Sequence, residues 1–273
     1  MRRLESFCEG GIRYLFEPAE RETAEQVRAI CAESVRVTQE QWELPLPRGC
    51  RVYVLASWWQ AALLPAPLPL RLWYAATLPL WRHRARNVWS QAAAWTQPYR
   101  SAPAVVVKPQ RLWTKREDSI GRRIYRFHGP EDRMRNVVCH EMVHACANRL
   151  RLPLWLNEGL AMLTVDRLLG RQTVRTGTLP LLAHDGARDP VTDYRRLGAV
   201  ADDAVVHAYV RGYWLTRFLA ESHPDLLRGL IARRMSRVAI DYAIGRRLSL
   251  RRQALWREID VIVAAHFADL PAD

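Results

Sequence analysis

Apolar residues recur with period two at Ile12, Tyr14 and Phe16, alternating with Arg13 and Glu17, which predicts an edge strand. From Glu20 to Trp42 the period lengthens. Ala24, Val27, Cys31, Ser34/Val35, Thr38 and Trp42 form a helical stripe bordered by charges, and the Pro-rich run Leu44 to Gly49 ends it. Val52, Val54 and Ala56 predict a second strand, Ala104 to Val107 a buried one, and Arg122 to His128, with Ile124, Tyr125 and Phe127, another. Helical signals dominate afterwards. Pro130, Glu131 and Asp132 suit a first turn, and Arg149, Arg151 and Pro153 mark the end of that helix. Leu154 to Leu169 follows as a second helix closed by Gly170, then Arg171 to Arg196 as a long polar loop. Asp202 and Asp203 cap a helix to about Ser222, Pro224 opens one through Met235, and Ser249 caps the last, to Phe267.

Strand, helix and strand leading into helices predict an α+β fold, a small mixed sheet packed on a mostly helical part. The expected division is an N-terminal α+β part, 1–128, and a helical part, 129–273, within one continuous domain. Residues 57–101 read as an insertion in the first part. It is rich in Trp (Trp58, Trp59, Trp73, Trp81, Trp89, Trp95) and in Pro (Pro65, Pro67, Pro69, Pro79, Pro98). Leu63 to Trp81 is apolar apart from Arg71, but its prolines argue against one continuous spanning helix. Trp81, Ala85, Val88, Ala92 and Trp95 share a helical face, with Arg82, Arg84 and Arg86 mostly elsewhere. Such a face suits a membrane surface. An apolar stripe at this period is first of all a packing stripe, so the favoured reading is that it covers the fold.

The strongest chemical signal lies on the Pro130 helix. His140 and His144 are four apart, so both imidazoles leave one helical face and can reach one cation. Glu141 points beside them, where a carboxylate can take a proton from water activated by that cation. Glu158, in Trp155-Leu156-Asn157-Glu158-Gly159, can return on the next helix as a third ligand, leaving a fourth position open as in hydrolytic zinc sites. With 8 His and 28 acidic residues, a His-acid-x-x-His match arises by chance roughly 0.02 times. A buried helix with two hydrogen-bonded histidines is the plain alternative. His184, Asp185 and His207 are further possible ligands, though isolated polar residues of this kind are usually solvated.

His140 to His144 followed by Leu-Trp-Leu-Asn-Glu-Gly-Leu-Ala resembles the gluzincin metallopeptidases, in particular the peptidase-MA-like relatives of aminopeptidase N. The resemblance implies a zincin-type catalytic domain with the metal helix at its junction with the sheet, and one Zn2+ per chain. It further implies His140, His144 and Glu158 as ligands, Glu141 as general base, and a peptide or protein as substrate. Tyr209, in Tyr-x-x-Gly, matches the tyrosine that hydrogen-bonds the oxyanion in that group; Tyr209 and Tyr213 can also be read as core tyrosines. Ile124, Tyr125, Arg126 and Phe127 are the candidate for the edge strand that binds substrate backbone in such enzymes. Three departures stand out. The His144–Glu158 connection is shorter than in aminopeptidase N. Met162 stands where the thermolysin branch has an aspartate that orients a zinc histidine, with Asp166 one turn further along. The Gly-Ala-Met-Glu-Asn exopeptidase signature is absent. A non-catalytic zinc-bearing scaffold or interaction protein, one that could associate with a membrane surface, is therefore the competing reading, favoured by Met162.

Composition adds bounds. A chain of 273 residues with 49% apolar content can bury a sizeable core. The net charge of +13 is carried almost wholly by arginine, Lys108 and Lys115 being the only lysines. It reads as bias spread along the chain, and with no reading motif beside it no specific nucleic-acid partner is expected. Cys8, Cys31, Cys50, Cys139 and Cys146 lack metal-type spacing and fit reduced thiols. Arg2, Arg3, Glu5 and Glu9 leave no apolar run at the start, so the expected location is cytoplasmic.

Overall fold

The computed structural model describes residues 3–99, 102–113, 117–185, 202–251 and 253–271. The chain forms two compact units, residues 1–119 with 128–148 and residues 120–127 with 149–273. The fold is mixed α and β, mostly helical, with one small sheet.

In the first unit, five strands form a mixed sheet: β1 (Glu5–Glu9), β2 (Ile12–Phe16), β3 (Arg51–Val54), β4 (Ala94–Gln97) and β5 (Ala104–Val107). Their order is β1-β2-β3-β5-β4. β2–β3 and β3–β5 run parallel; β1–β2 and β4–β5 run antiparallel, so β1 and β4 are the edges. Gly10 and Gly11 both take positive φ (56° and 77°), as a two-residue hairpin turn between β1 and β2 requires. Interior β5 is buried at every position, whereas β2 buries Ile12, Tyr14 and Phe16 and exposes Arg13. Helix α1 (Arg21–Trp42) buries the predicted stripe, with the Ser34 and Thr38 hydroxyls bonded to carbonyls one turn back. It packs against α5 (Pro130–Ala147), which also lies on β4 and β5.

The insertion differs from expectation. After α2 (Trp58–Leu63), helix α3 runs unbroken from Leu68 to Gln91 through Pro79, with none of its residues buried. The break expected at Pro79 is avoided because the Ala75 carbonyl, which loses its partner there, sits on the exposed side and can bond water. The stripe ends early: Ala92 is already extended, and Trp95 belongs to β4. Among the described residues no helix is long and apolar enough to cross a membrane.

In the second unit, α6 (Leu154–Leu169) is closed by Gly170 in the left-handed conformation (φ 66°), as its sequence predicts. The expected loop after it contains a 3-10 turn (Thr176–Thr178) and a short α7 (Pro180–Asp185); its part at 186–201 lies outside the described residues. Helix α8 (Asp202–Ser222) packs along α6. α9 (Pro224–Ile231) ends earlier than predicted. α10 (Arg237–Leu248) is capped by the Ser236 side chain, and Ser249, expected to start the final helix, instead ends α10 with φ 57°. The final helix is α11 (Leu255–His266). Buried Arg211 of α8 pairs with buried Asp260 of α11 through Nε at 3.0 Å and through its second nitrogen.

Two glycines set the α6–α8 spacing. A Cβ at Gly159 would lie 2.0 Å from Thr216 Oγ1 and 2.2 Å from the Gly212 carbonyl; one at Gly212 would lie 2.6 Å from the Trp155 carbonyl. Close approach thus accounts for a helix-interior glycine that otherwise costs about 1 kcal/mol relative to alanine. Gly159→Ala is expected to destabilise the chain by about 1–3 kcal/mol or more, since backbone must move. Gly229→Ala on α9, where nothing lies within 4 Å, should be neutral or stabilising; urea midpoints of the two variants check this.

Candidate metal centre

Helix α5 starts as its sequence dictates. Pro130 occupies the first turn, Glu131 and Asp132 face the positive helix end, and Asp132 accepts the His128 N–H at 3.2 Å. The side towards α1 and the sheet is apolar, with Val138, Cys139, Met142, Val143 and Cys146 buried. Burial pushes the thiols of Cys139 and Cys146 up to about 12, which keeps them protonated at neutral pH. Cys31 and Cys50 are also buried, Cys8 is exposed, and all five cysteines are free.

His140 is buried and His144 half-buried, their ring centroids 4.6 Å apart with planes at 87°. One possible ligand atom from each of His140, His144 and Glu158 lies within 4.8 Å of the others. Two imidazoles and a carboxylate are a donor set that suits zinc. Glu158 is fully buried on α6, where a carboxylate is held by compensating charge or hydrogen bonding. The residues present therefore fit a metal. No other such cluster occurs among the described residues. His207 is buried in α8 and is not part of the group, while the side chains of His184 and Asp185 lie outside the described residues.

Glu141 is half-buried on the same helix. Thr96 Oγ1 lies 2.7 Å from its Oε2 and 3.0 Å from its carbonyl oxygen. The hydroxyl has one hydrogen, and the carboxylate is the stronger acceptor. Thr96 thus fixes the Glu141 rotamer from edge strand β4. Nothing in the sequence singled Thr96 out; it precedes Glu141 by 45 residues in a segment whose pattern reads as helix.

The strand expected over Arg122–His128 is corrected. Ile124 ends helix α4 (Glu117–Ile124), and only Tyr125 forms an isolated antiparallel bridge, with Val174. The Arg126 N–H donates to the Thr173 carbonyl (2.7 Å) and the Arg175 N–H to the Ile124 carbonyl (2.9 Å), so the backbone of 124–126 is engaged with 173–175. Arg126 and Phe127 follow without joining a sheet. The edge strand that does pack on α5 is β4.

Tyr209 is half-buried on α8, in one stripe with Gly212 and Thr216, the residues that meet Trp155 and Gly159 of α6. Tyr213 is fully buried, and its hydroxyl donates to Asp166 Oδ2 at 2.7 Å. Asp166 Oδ1 accepts from the Thr173 N–H (2.7 Å) and hydroxyl (2.6 Å). Burial raises the Asp166 carboxyl above its ordinary value, opposed by these bonds, and burial together with Asp166 raises the Tyr213 phenol. Asp166 therefore serves the α6–α8 packing, and Met162 beside it is buried core. No protein-family model matches the chain, and no curated protein is significantly similar to it.

Proposed function

We propose that the chain is a zinc-dependent peptidase of the gluzincin type, with a zincin-type catalytic domain. The observation that carries the reading is the convergence of His140, His144 and Glu158, with Glu141 on the same helix and held by Thr96. Zinc held by the three ligands would supply a Lewis acid that polarises a carbonyl and acidifies water at an open position. Glu141 accepts the proton of the attacking water and returns it to the leaving amine. Thr96 keeps the carboxylate pointed at that task. Tyr209 donates to the developing oxyanion. β4 takes the role first assigned to Ile124–Phe127, pairing its outer edge with an extended peptide or protein substrate.

The experiment is digestion of a mixed peptide library before and after chelation. Cleavage should vanish on metal removal and return with added zinc. Cleavage that survives complete stripping overturns the reading. One observation favours the alternative, a zinc-bearing scaffold without turnover: Met162 is buried core and Asp166 is committed to Thr173 and Tyr213. Zinc retained with no cleavage in any library would select it.

A further inference from the structure

We propose that α3 docks the chain on a bilayer surface bearing anionic headgroups. This docking involves α3 alone and is independent of the peptidase reading.

The half-buried positions of α3 include Tyr74, Leu78, Trp81, Ala85 and Trp89, one stripe at spacings of three and four. The opposite face is exposed, and over its first half it is apolar: Leu68 (64% exposed), Leu72 (65%), Trp73 (59%) and Leu80 (88%). That half extends about 18 Å from Leu68 to Leu80 at the helical rise. Arg71 is the only charge within it, and its guanidinium turns back to the Leu64 carbonyl (2.7 Å) and the Ala66 carbonyl (3.2 Å). The outer face therefore carries no charge before Arg82.

The second half is basic. Arg82, His83, Arg84 and Arg86 are exposed, with the Arg86 guanidinium 4.9 Å above the Trp58 ring. Arginine is no denser here than along the rest of the chain, but it is uncompensated in sequence: no Asp or Glu occurs between Glu43 and Glu117. Charge complementarity selects the occupant. A second copy would bring one acid-free basic surface against another, whereas an acidic headgroup layer meets the arginines while Leu and Trp enter the acyl boundary. Among the described residues no helix is long and apolar enough to cross, and α3 lies in the interface, its Leu68–Leu80 part deeper and Arg82–Arg86 at headgroup level.

The test is flotation of the full chain with vesicles of phosphatidylcholine alone or mixed with phosphatidylglycerol, at low and high salt. Binding should appear with the mixed vesicles at low salt and weaken with salt. Leu72→Asp with Leu80→Asp should abolish it; both sites are exposed, and an unchanged melting curve shows the fold intact. Each of Arg82→Ala and Arg84→Ala should lower partitioning roughly five-fold. Failure to float with the mixed vesicles at low salt, equal binding to both vesicle types, or binding untouched by the double Asp variant overturns the proposal. So does concentration-dependent dimerisation, abolished by the double Asp variant, in a chain that ignores vesicles.

Discussion

Glu141→Gln should leave the zinc content unchanged and lower peptide cleavage by about 10²- to 10⁴-fold, the range for loss of a positioned general base. Glutamine has the same shape and can still accept the Thr96 hydroxyl, so the local geometry at 2.7 Å from Oε2 survives. What disappears is proton affinity. Thr96→Val keeps the carboxylate but removes the bond that aims it, and at roughly 1 kcal/mol for such a bond the expected loss is up to about ten-fold in turnover. Thr96→Ser should restore the rate, which a packing effect of the methyl group would not. Equal cleavage by wild type and Glu141→Gln would mean that Glu141 takes no part in the chemistry.

Tyr209→Phe should reduce kcat by about 10²- to 10³-fold with unchanged zinc, as expected for an oxyanion donor. Tyr213→Phe should do the reverse. The Tyr213 hydroxyl is one of three donors to half-buried Asp166, and removing it should cost about 1–3 kcal/mol of folding stability. Steady-state kinetics and urea unfolding on both variants separate the roles. If Tyr213→Phe abolishes turnover in a stable protein while Tyr209→Phe is silent, the assignment of the oxyanion donor is wrong.

The parts legible in the sequence are those whose signals are local. α1, α5, α6 and α8 carry apolar stripes with Pro, Asp or Gly at their ends, and each forms within a residue or two of its predicted bounds. The spacing of His140 and His144 is equally local, and the structure keeps both on one face. β2, β3 and β5 were also legible from their own apolar runs, whereas two strands defined by their partners were not. β1 alternates weakly and exposes much of its length, so only its pairing with β2 makes it a strand. β4 contains Trp95, whose spacing from Trp81 mimics a helical stripe, yet the open edge of β5 captures it. Ile124, Tyr125 and Phe127 look like a strand because they are apolar, while Ile124 closes a helix and its carbonyl pairs with Arg175. Thr96 and Glu141 meet only through the sheet, so no sequence pattern could join them.

Every catalytic role proposed for this chain depends on a metal held by His140, His144 and Glu158. The direct measurement is the metal content of protein purified without added metal, for wild type and for the His140→Ala, His144→Ala double variant, with unfolding curves taken alongside. Wild type should carry about one zinc per chain, as a three-ligand catalytic site requires, and the folded double variant should carry none. Zinc absent from wild type, or fully retained by the double variant, contradicts the account.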